Sequence, residues 1–109
     1  MGKVSGYQVM WAWVLFDLPV GTKKQRSRAT RFRNYLLDEG FAMSQFSVYL
    51  KLLGSREKTD ALFDRIERNV PPEGSVHCIG ITDKQFGRIR TYKGKKREDI
   101  EKPEQLTFL

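Results

Sequence analysis

Asp17 combines a reactive side-chain type with a position that suits chemistry. It follows eight consecutive apolar residues, Val9 to Phe16, and stands two residues before Pro19. The Val, Trp and Phe content of this run favours a buried strand, and a proline cannot donate a hydrogen bond to a strand ladder. Asp17 therefore lies where a central strand reaches the surface, a position at which a carboxylate can bind a ligand or cap the following turn.

A carboxylate in this position can bind a hard cation. Magnesium takes one or two carboxylates together with water and substrate phosphate, and it can orient a water molecule and polarise a phosphodiester. One Asp17 makes a poor site, but a two-fold dimer that brings Asp17 close to its copy adds the second carboxylate. The sequence has no obvious general base beside Asp17. The enzymatic hypothesis is a magnesium-dependent endonuclease in which Asp17 is both the metal ligand and the catalytic residue.

Most other catalytic patterns are absent from the sequence. One histidine, His77, and one cysteine, Cys78, cannot form the usual zinc spacings, and neither a P-loop nor a nucleophile elbow is present. We expect His77 to be structural, because it is a lone histidine in a strand-like segment. Cys78 is expected to be a buried thiol in a reducing compartment. Because no signal peptide is recognisable, a cytoplasmic protein is expected.

Basic residues are concentrated in two segments. The chain has a net charge of +7, and residues 23–33 and 84–97 hold 13 of its 20 Lys and Arg residues without any acidic residue. Such clustering favours a polyanionic partner, most often nucleic acid, over a merely solvated basic surface. From charge and position we expect six of these side chains to contact phosphates: Lys23, Lys24, Arg28, Arg31, Arg88 and Arg90.

Hydrophobic periodicity and capping residues predict the first two elements. A first strand covers about residues 8–16. Thr22 and Gln25 have the spacing of a capping box, so a helix is predicted to begin at Thr22 and to stop at Gly40. Apolar residues at helical spacing form its predicted buried side: Ala29, Phe32 and Leu36.

Two strands and a second helix follow. Residues 41–53 exceed the usual strand length and are interrupted by polar residues, so we divide them into strands at 41–44 and 47–53 joined by a tight turn. A second helix starts at Gly54-Ser55 and ends at Pro71-Pro72. The apolar positions predicted to face the core are Leu62, Phe63, Ile66 and Val70.

The last third of the chain is predicted to contain one buried strand and several basic segments. Residues 75–82 form the strand, 83–87 a turn and 88–92 a short basic strand. Residues 94–102 are charged and predicted to be flexible. The end, 105–109, reads as a short apolar strand that could add to a sheet edge or dock on a partner.

This order of elements is that of the α+β ferredoxin-like βαββαβ fold. We predict one domain over residues 1–109, with its core at about 8–92 and a basic linker and C-terminal strand at 93–109. Two helices cover one face of such a sheet, yet the first strand is apolar on both faces. A second copy of the sheet, packed face to face across a two-fold axis, is the simplest cover for the open face.

Several short segments, in their order and spacing, point to one protein family. Near the first strand and the middle turn the chain reads FDLP at 16–19 and QFSVY at 45–49. Further segments are 32–41, 71–74 (PPEG) and 81–87 (ITDKQFG). Over nearly the whole chain, these segments resemble the small CRISPR-associated adaptation protein "Cas two" (Cas2), and the last three resemble its type II branch.

The resemblance implies a ferredoxin-like homodimer with Asp17 at the interface as the Mg²⁺ ligand. It implies double-stranded DNA (protospacer) and the larger CRISPR integrase "Cas one" (Cas1) as partners in spacer acquisition, where the protein bridges integrase dimers and holds the DNA. It also implies metal-dependent nuclease activity on DNA or single-stranded RNA. Ser47 and Tyr49 match the family pattern, and turn formation and packing explain them equally well. The alternative hypothesis is a stand-alone metal-dependent endoribonuclease of toxin type.

Overall fold

The structure is a computed structural model, which describes residues 9–100 of the chain. The predicted strand at 105–109 lies outside these residues. None of the helices among residues 9–100 is long and apolar enough to cross a membrane. The elements are β1 (Met10–Asp17), α1 (Lys23–Asp38), β2 (Ala42–Gln45), β3 (Val48–Leu53), α2 (Arg56–Glu67), β4 (Ser75–Thr82), α3 (Asp83–Phe86), β5 (Tyr92–Lys93) and β6 (Lys96–Arg97).

Four strands form one antiparallel sheet in the order β2–β3–β1–β4. This confirms the predicted βαββαβ arrangement, in which the first strand is central. Trp13 on β1 is paired with Leu50 on β3 and with Ile79 on β4. Because side chains alternate along a strand, this register determines which residues share a face of the sheet.

The face of the sheet that packs against the helices carries the main core. Alternate residues of β1, beginning at Ala12, contact the buried stripe of α1, which is the predicted one, and the buried residues of α2. Phe16 meets Phe32 edge to face, with ring centroids 5.2 Å apart. Cys78 is half-buried on this side, and burial raises the pKa of its thiol. The buried core consists of Ala12, Val14, Phe16, Phe32, Leu36, Phe41, Tyr49, Leu62 and Ile66.

The ends of α1 form as their residues predict. Thr22 is the N-cap, its hydroxyl accepts from the backbone N–H of Gln25, and the Gln25 side chain accepts from the N–H of Thr22. At the other end, Gly40 has φ of +96°, and its N–H donates to the carbonyl of Leu37. The N–H of Phe41 donates to the carbonyl of the residue before Leu37, and the two hydrogen bonds together form a Schellman motif.

The sheet face opposite α1 and α2, called here the open face, is partly covered by the chain itself. Phe86 of α3 stacks on Trp11 with ring centroids 4.4 Å apart, and it lies 5.9 Å from Trp13. Ile89 and Ile100 pack against the same cluster. The expectation that a second copy covers this whole face is therefore wrong for the part around Trp11.

The segment after β4 differs from its prediction. Residues 83–87 were expected to turn, but Thr82 and Gln85 form a second capping box that starts the short helix α3. The strand predicted at 88–92 does not form: residues 88–91 lie outside any strand, because Ile89 packs against the open face, and only Tyr92 belongs to a strand, β5. Part of the segment predicted to be flexible forms the β5–β6 hairpin.

The second helix also ends earlier than expected. α2 stops at Glu67, and the side-chain amide of Asn69 donates to the carbonyl of Arg65 at 2.9 Å. This side chain satisfies a carbonyl of the last turn, so the helix ends before the two prolines are reached. Val70 lies beyond the helix and is 41% exposed, which overturns its predicted place in the core.

Candidate functional site

Asp17 is the last residue of β1 and is exposed at the end of the sheet. Its register partner on β4 is Ser75, and its predecessor Phe16 donates its backbone N–H to the carbonyl of Ser47 at 3.1 Å. Because Phe16 points into the helix-side core, strand alternation places Asp17 on the open face. The structure therefore confirms that Asp17 lies where the central strand surfaces.

Gly74 allows β4 to begin directly beside Asp17. Its φ is +85°, and a Cβ built on it would lie 2.5 Å from the carbonyl oxygen of Asp17 and 3.0 Å from Leu18. Both the backbone conformation and the available space therefore require glycine at this position. The close approach sets the register in which Ser75 faces Asp17.

An apolar patch that residues 9–100 leave uncovered adjoins Asp17 on the open face. The register pairs Leu15 with both Val48 and His77, and Ile79 follows two residues later on β4 with 48% of its surface exposed. These four residues, Leu15, Val48, His77 and Ile79, are called the uncovered patch. His77 is exposed one register row from Asp17, which sequence reasoning missed because cross-strand register is not visible in a local pattern.

One copy of the chain offers little to a metal ion. Within residues 9–100 there is no group of three or more His, Cys, Asp or Glu side chains that could hold one. Asp17 contributes a single exposed carboxylate, and magnesium needs further oxygen ligands from water, substrate phosphate or another carboxylate. The donor set therefore fits magnesium only if a second Asp17 or a phosphate completes it.

The basic residues of α1 do not form one continuous basic surface along the helix. Lys23 and Arg31 line a groove of about 760 Å³ along the helix, together with Arg26, Thr30 and Asn34. Lys24 is exposed outside the groove lining. The lining is mainly cationic, hydroxyl and amide side chains, with one carboxylate, Asp38, and such a groove can bind a phosphate backbone. The structure therefore brings two of the six predicted phosphate contacts together.

The other predicted phosphate contacts lie elsewhere. Arg28 donates to the Glu73 carboxylate at 2.9 Å, and the other oxygen of that carboxylate accepts from the Gln25 side chain at 2.9 Å. A phosphate would compete with Glu73 for Arg28. Arg88 and Arg90 are exposed in the segment after α3, away from the α1 groove.

Residues of the family-like QFSVY segment are divided between the core and the surface. Tyr49 is buried, and its ring stacks on Phe16 at 5.6 Å. Ser47 occupies the β2–β3 turn with φ of +70°, so both residues have packing and turn roles. Phe46 is 76% exposed, and the guanidinium of Arg33 lies 5.3 Å from its ring centre. Neither of these last two residues was expected to be functional.

Comparison with known proteins identifies the family. Residues 10–89 match the family model described as CRISPR associated protein Cas2. The chain is 48% identical over 104 residues to a protein of Paracidovorax avenae, a match that covers 94% of this chain and 96% of that protein. It is 42% identical over 103 residues to a protein of Flavobacterium psychrophilum, with 94% and 90% covered. Both are named CRISPR-associated endoribonuclease Cas2.

A solved structure supports the same assignment. The fold is similar to the structure described as "Crystal structure of cas2", with a TM-score of 0.50 and 26% identity, covering 68% of this chain and 76% of that one. The family match, the close relatives and the shared fold agree with the resemblance found in the sequence. The chain belongs to the CRISPR-associated protein Cas2 family.

Proposed function

We propose that this protein acts as a homodimer in CRISPR spacer acquisition, binding nucleic acid and using paired Asp17 residues as a magnesium-dependent nuclease site. The observation that carries the proposal is the position of Asp17, exposed at the edge of the uncovered patch. If two copies join through this patch, the Asp17 carboxylate of one copy comes close to the Asp17 carboxylate of the other. Membership of the Cas2 family supports a CRISPR role for the protein.

The uncovered patch supports self-association. Ile79 is 48% exposed on β4, the edge strand next to β1, where its register partner is the apolar residue Trp13. Burial of such surface contributes about 25 cal/mol for each Å² removed from water. A second copy would cover the part of the open face that α3 and its following segment leave exposed.

The chemistry assigned to this site is phosphodiester hydrolysis. Asp17 and its copy would hold the magnesium ion, which supplies polarisation of the phosphodiester and activation of a water molecule. Gly74 and the Ser47 carbonyl position the end of β1, and thereby Asp17. His77, the one histidine of the chain, lies exposed on the same face, one register row away from Asp17.

The nucleic acid that the protein binds without cleaving and the nucleic acid that it cleaves need not be the same. For holding, we propose double-stranded DNA and a bridging role between Cas1 integrase dimers, supported by the net charge of +7 and by the basic groove of α1. For cutting, the relatives named endoribonuclease favour RNA. A DNA-holding subunit that retains a nuclease site reconciles the two.

The deciding experiment is a cleavage assay with binding measured in the same samples. Wild type, Asp17→Ala and Asp60→Ala are offered double-stranded DNA and single-stranded RNA, each with magnesium or with a chelator. Asp60 is a matched control because it is an exposed carboxylate on α2, outside the proposed site. We expect magnesium-dependent cleavage by wild type and Asp60→Ala, and binding without cleavage by Asp17→Ala.

The two parts of the proposal fail separately. Equal DNA binding by wild type and Asp17→Ala, with cleavage by neither, removes the nuclease site and leaves a DNA-holding bridge. Binding that hardly responds to salt removes the nucleic-acid role, because six phosphate contacts give a log–log salt slope of roughly −5. Sedimentation of Asp17→Ala tests whether the dimer survives the substitution.

A stand-alone endoribonuclease of toxin type is the second candidate function. The names of the relatives favour ribonuclease activity, and such activity needs no integrase partner. Expression of wild type and Asp17→Ala in a host without CRISPR integrase separates the two candidates. Growth arrest by wild type alone supports the toxin, whereas equal growth supports the spacer-acquisition role.

A further inference from the structure

We infer that Phe46 is a stacking platform for an unpaired base of a single-stranded nucleic acid, and that the α1 groove holds the adjoining phosphates. The inference rests on the proposed nucleic-acid binding and adds to it a recognition residue for the single-stranded ligand. It arises from three observations: the exposure of Phe46, the cation behind its ring and the continuity of both with the groove.

Phe46 is presented to solvent by a well-held turn. Its side chain is 76% exposed at the tip of the β2–β3 connection, where Ser47 takes the left-handed conformation with φ of +70°. The Ser47 carbonyl accepts the Phe16 N–H at 3.1 Å, which attaches the tip to the central strand. The aromatic ring is therefore displayed by a turn that is hydrogen-bonded to the sheet, not by a loose loop.

The Arg33 guanidinium gives the ring a defined orientation and charge. It lies 5.3 Å from the ring centre of Phe46, within the range of a cation–π contact, and Arg33 is half-buried on α1. A cation on one side leaves the other side of the ring for a flat, electron-rich partner. A nucleobase has that shape, and the phosphates on either side of it are attracted by the same arginine.

The groove of α1 continues from this pair. Arg33 donates to the hydroxyl of Thr30 at 3.4 Å, and Thr30 lines the groove together with Arg26 and Arg31. A cationic groove that tracks a backbone and ends at an aromatic side chain is the arrangement by which proteins bind single strands without sequence readout. In a duplex the bases already stack on one another, so duplex DNA gains little from Phe46.

The platform also lies at the sheet end that carries Asp17. Phe16 connects them, because its backbone N–H donates to the β2–β3 turn and Asp17 is the next residue in the chain. A strand stacked on Phe46 is thereby anchored at the end of the sheet where cleavage is proposed. This arrangement favours a single-stranded substrate for cutting, in agreement with the separate substrates proposed above.

The test measures binding of the purified full-length protein to three ligands of about 12 nucleotides: oligouridylate, its abasic analogue with the same backbone, and a DNA duplex. Phe46→Leu keeps an apolar side chain but removes the aromatic face, and Phe46→Trp keeps the face. Tyr92→Leu is the control for loss of an exposed aromatic residue, since Tyr92 is 57% exposed and does not line the groove.

We expect Phe46→Leu to bind oligouridylate about 5- to 150-fold more weakly than wild type, with Phe46→Trp and Tyr92→Leu unchanged. Wild type should prefer oligouridylate to the abasic strand, and Phe46→Leu should lose that preference while keeping its salt dependence. Duplex binding should be the same for all four proteins.

Three results would overturn the inference. One is equal binding of oligouridylate by wild type and Phe46→Leu, with duplex binding intact, which leaves the proposed function standing. Another is a parallel loss of duplex binding in Phe46→Leu. The third is a changed sedimentation mass of Phe46→Leu, which would make Phe46 a contact between protein copies. Absence of all nucleic-acid binding by wild type would instead refute the proposed function itself.

Discussion

Two tryptophans on the same side of β1 differ in how their polar atoms are satisfied. The indole N–H of Trp11 donates to a carboxylate oxygen of Asp83 at 2.8 Å. The indole N–H of Trp13 is buried and has no hydrogen-bond acceptor among residues 9–100. A buried donor without a partner carries a desolvation cost, whereas a bonded one ties α3 to the sheet.

Replacement of each tryptophan by phenylalanine should therefore have unequal effects. Trp11→Phe leaves Asp83 without one of its donors, and Trp13→Phe removes a donor that has no acceptor in the described part of the chain. We expect Trp11→Phe to lower the free energy of unfolding by about 1–2 kcal/mol more than Trp13→Phe. Urea unfolding of both variants checks this, and equal losses would contradict the assignment of the Trp11 bond.

Gly74 offers a second test at the residue scale. Gly74→Ala combines a φ of +85° with a Cβ that would lie 2.5 Å from the Asp17 carbonyl oxygen. Gly94→Ala is the matched control, since its φ is +63° and nothing lies within 4 Å of the added carbon. We expect Gly74→Ala to destabilise by about 1–3 kcal/mol more than Gly94→Ala in thermal or urea unfolding. Similar losses of unfolding free energy in the two variants would mean that the end of β1 shifts at little cost to accommodate the added Cβ.

At the scale of elements, the side chain and the backbone carbonyl of one residue, Glu39, tie together α1, α2 and β3. Glu39 accepts from Tyr35 at 2.8 Å and from Arg65 at 3.0 and 3.2 Å, and Lys51 donates to its backbone carbonyl. The hydrogen bonds from Arg65 are the main cause of a lowered pKa of Glu39. Burial, followed by the hydrogen bond to Glu39, raises the pKa of Tyr35 to about 12.

Glu39→Gln should change the pH dependence of stability in a defined direction. Because the folded-state pKa of Glu39 is lowered, its stabilisation is present above the ordinary value of 4.5 and is lost as pH falls through the lowered pKa. The variant should be less stable than wild type near neutral pH, with a smaller difference in acid. Urea unfolding across pH measures this.

The same variant has a spectroscopic readout. Glu39→Gln should bring the Tyr35 pKa down toward 10.0, because it removes the negative charge next to the phenol. Phenolate absorbance reports the change. Glu67→Gln serves as control, since Glu67 is an exposed carboxylate at the end of α2. A Tyr35 titration that is identical in wild type and Glu39→Gln would contradict the network.

At the scale of the whole molecule, the proposed self-association through the uncovered patch can be tested directly. Ile79→Asp places a charge in the proposed interface, where its copy and Asp17 are both negative. An unpaired charge in such a contact costs several kcal/mol, so we expect the dimer to dissociate about 100-fold or more readily. Val70→Asp is the matched control, because Val70 is a 41% exposed apolar residue beyond α2. Sedimentation gives the mass of each, and equal masses would contradict the proposed interface.

Local chemistry was sufficient to determine much of this protein from the sequence. Val9–Phe16 is apolar throughout, so β1 had to be central and Asp17 had to surface at its end. Thr22 with Gln25 and the stop at Gly40 predicted α1, because caps and glycine conformation depend on a few neighbouring residues. Thr82 and Gln85 have the same capping-box spacing, which indicates the helix α3 where a turn was predicted.

Tertiary structure alone decided which distant residues meet. Three pairs of residues that are distant in sequence come together in the fold. They are the hydrogen-bonded pair Arg28 and Glu73, the cation–π pair Arg33 and Phe46, and His77 with Asp17 on one face of the sheet. Such pairs depend on strand register and on the docking of helices, which periodicity does not encode. For the same reason, the chain's own cover over Trp11 could not be foreseen, since apolar residues after β4 fit a sheet edge and a sheet face equally well.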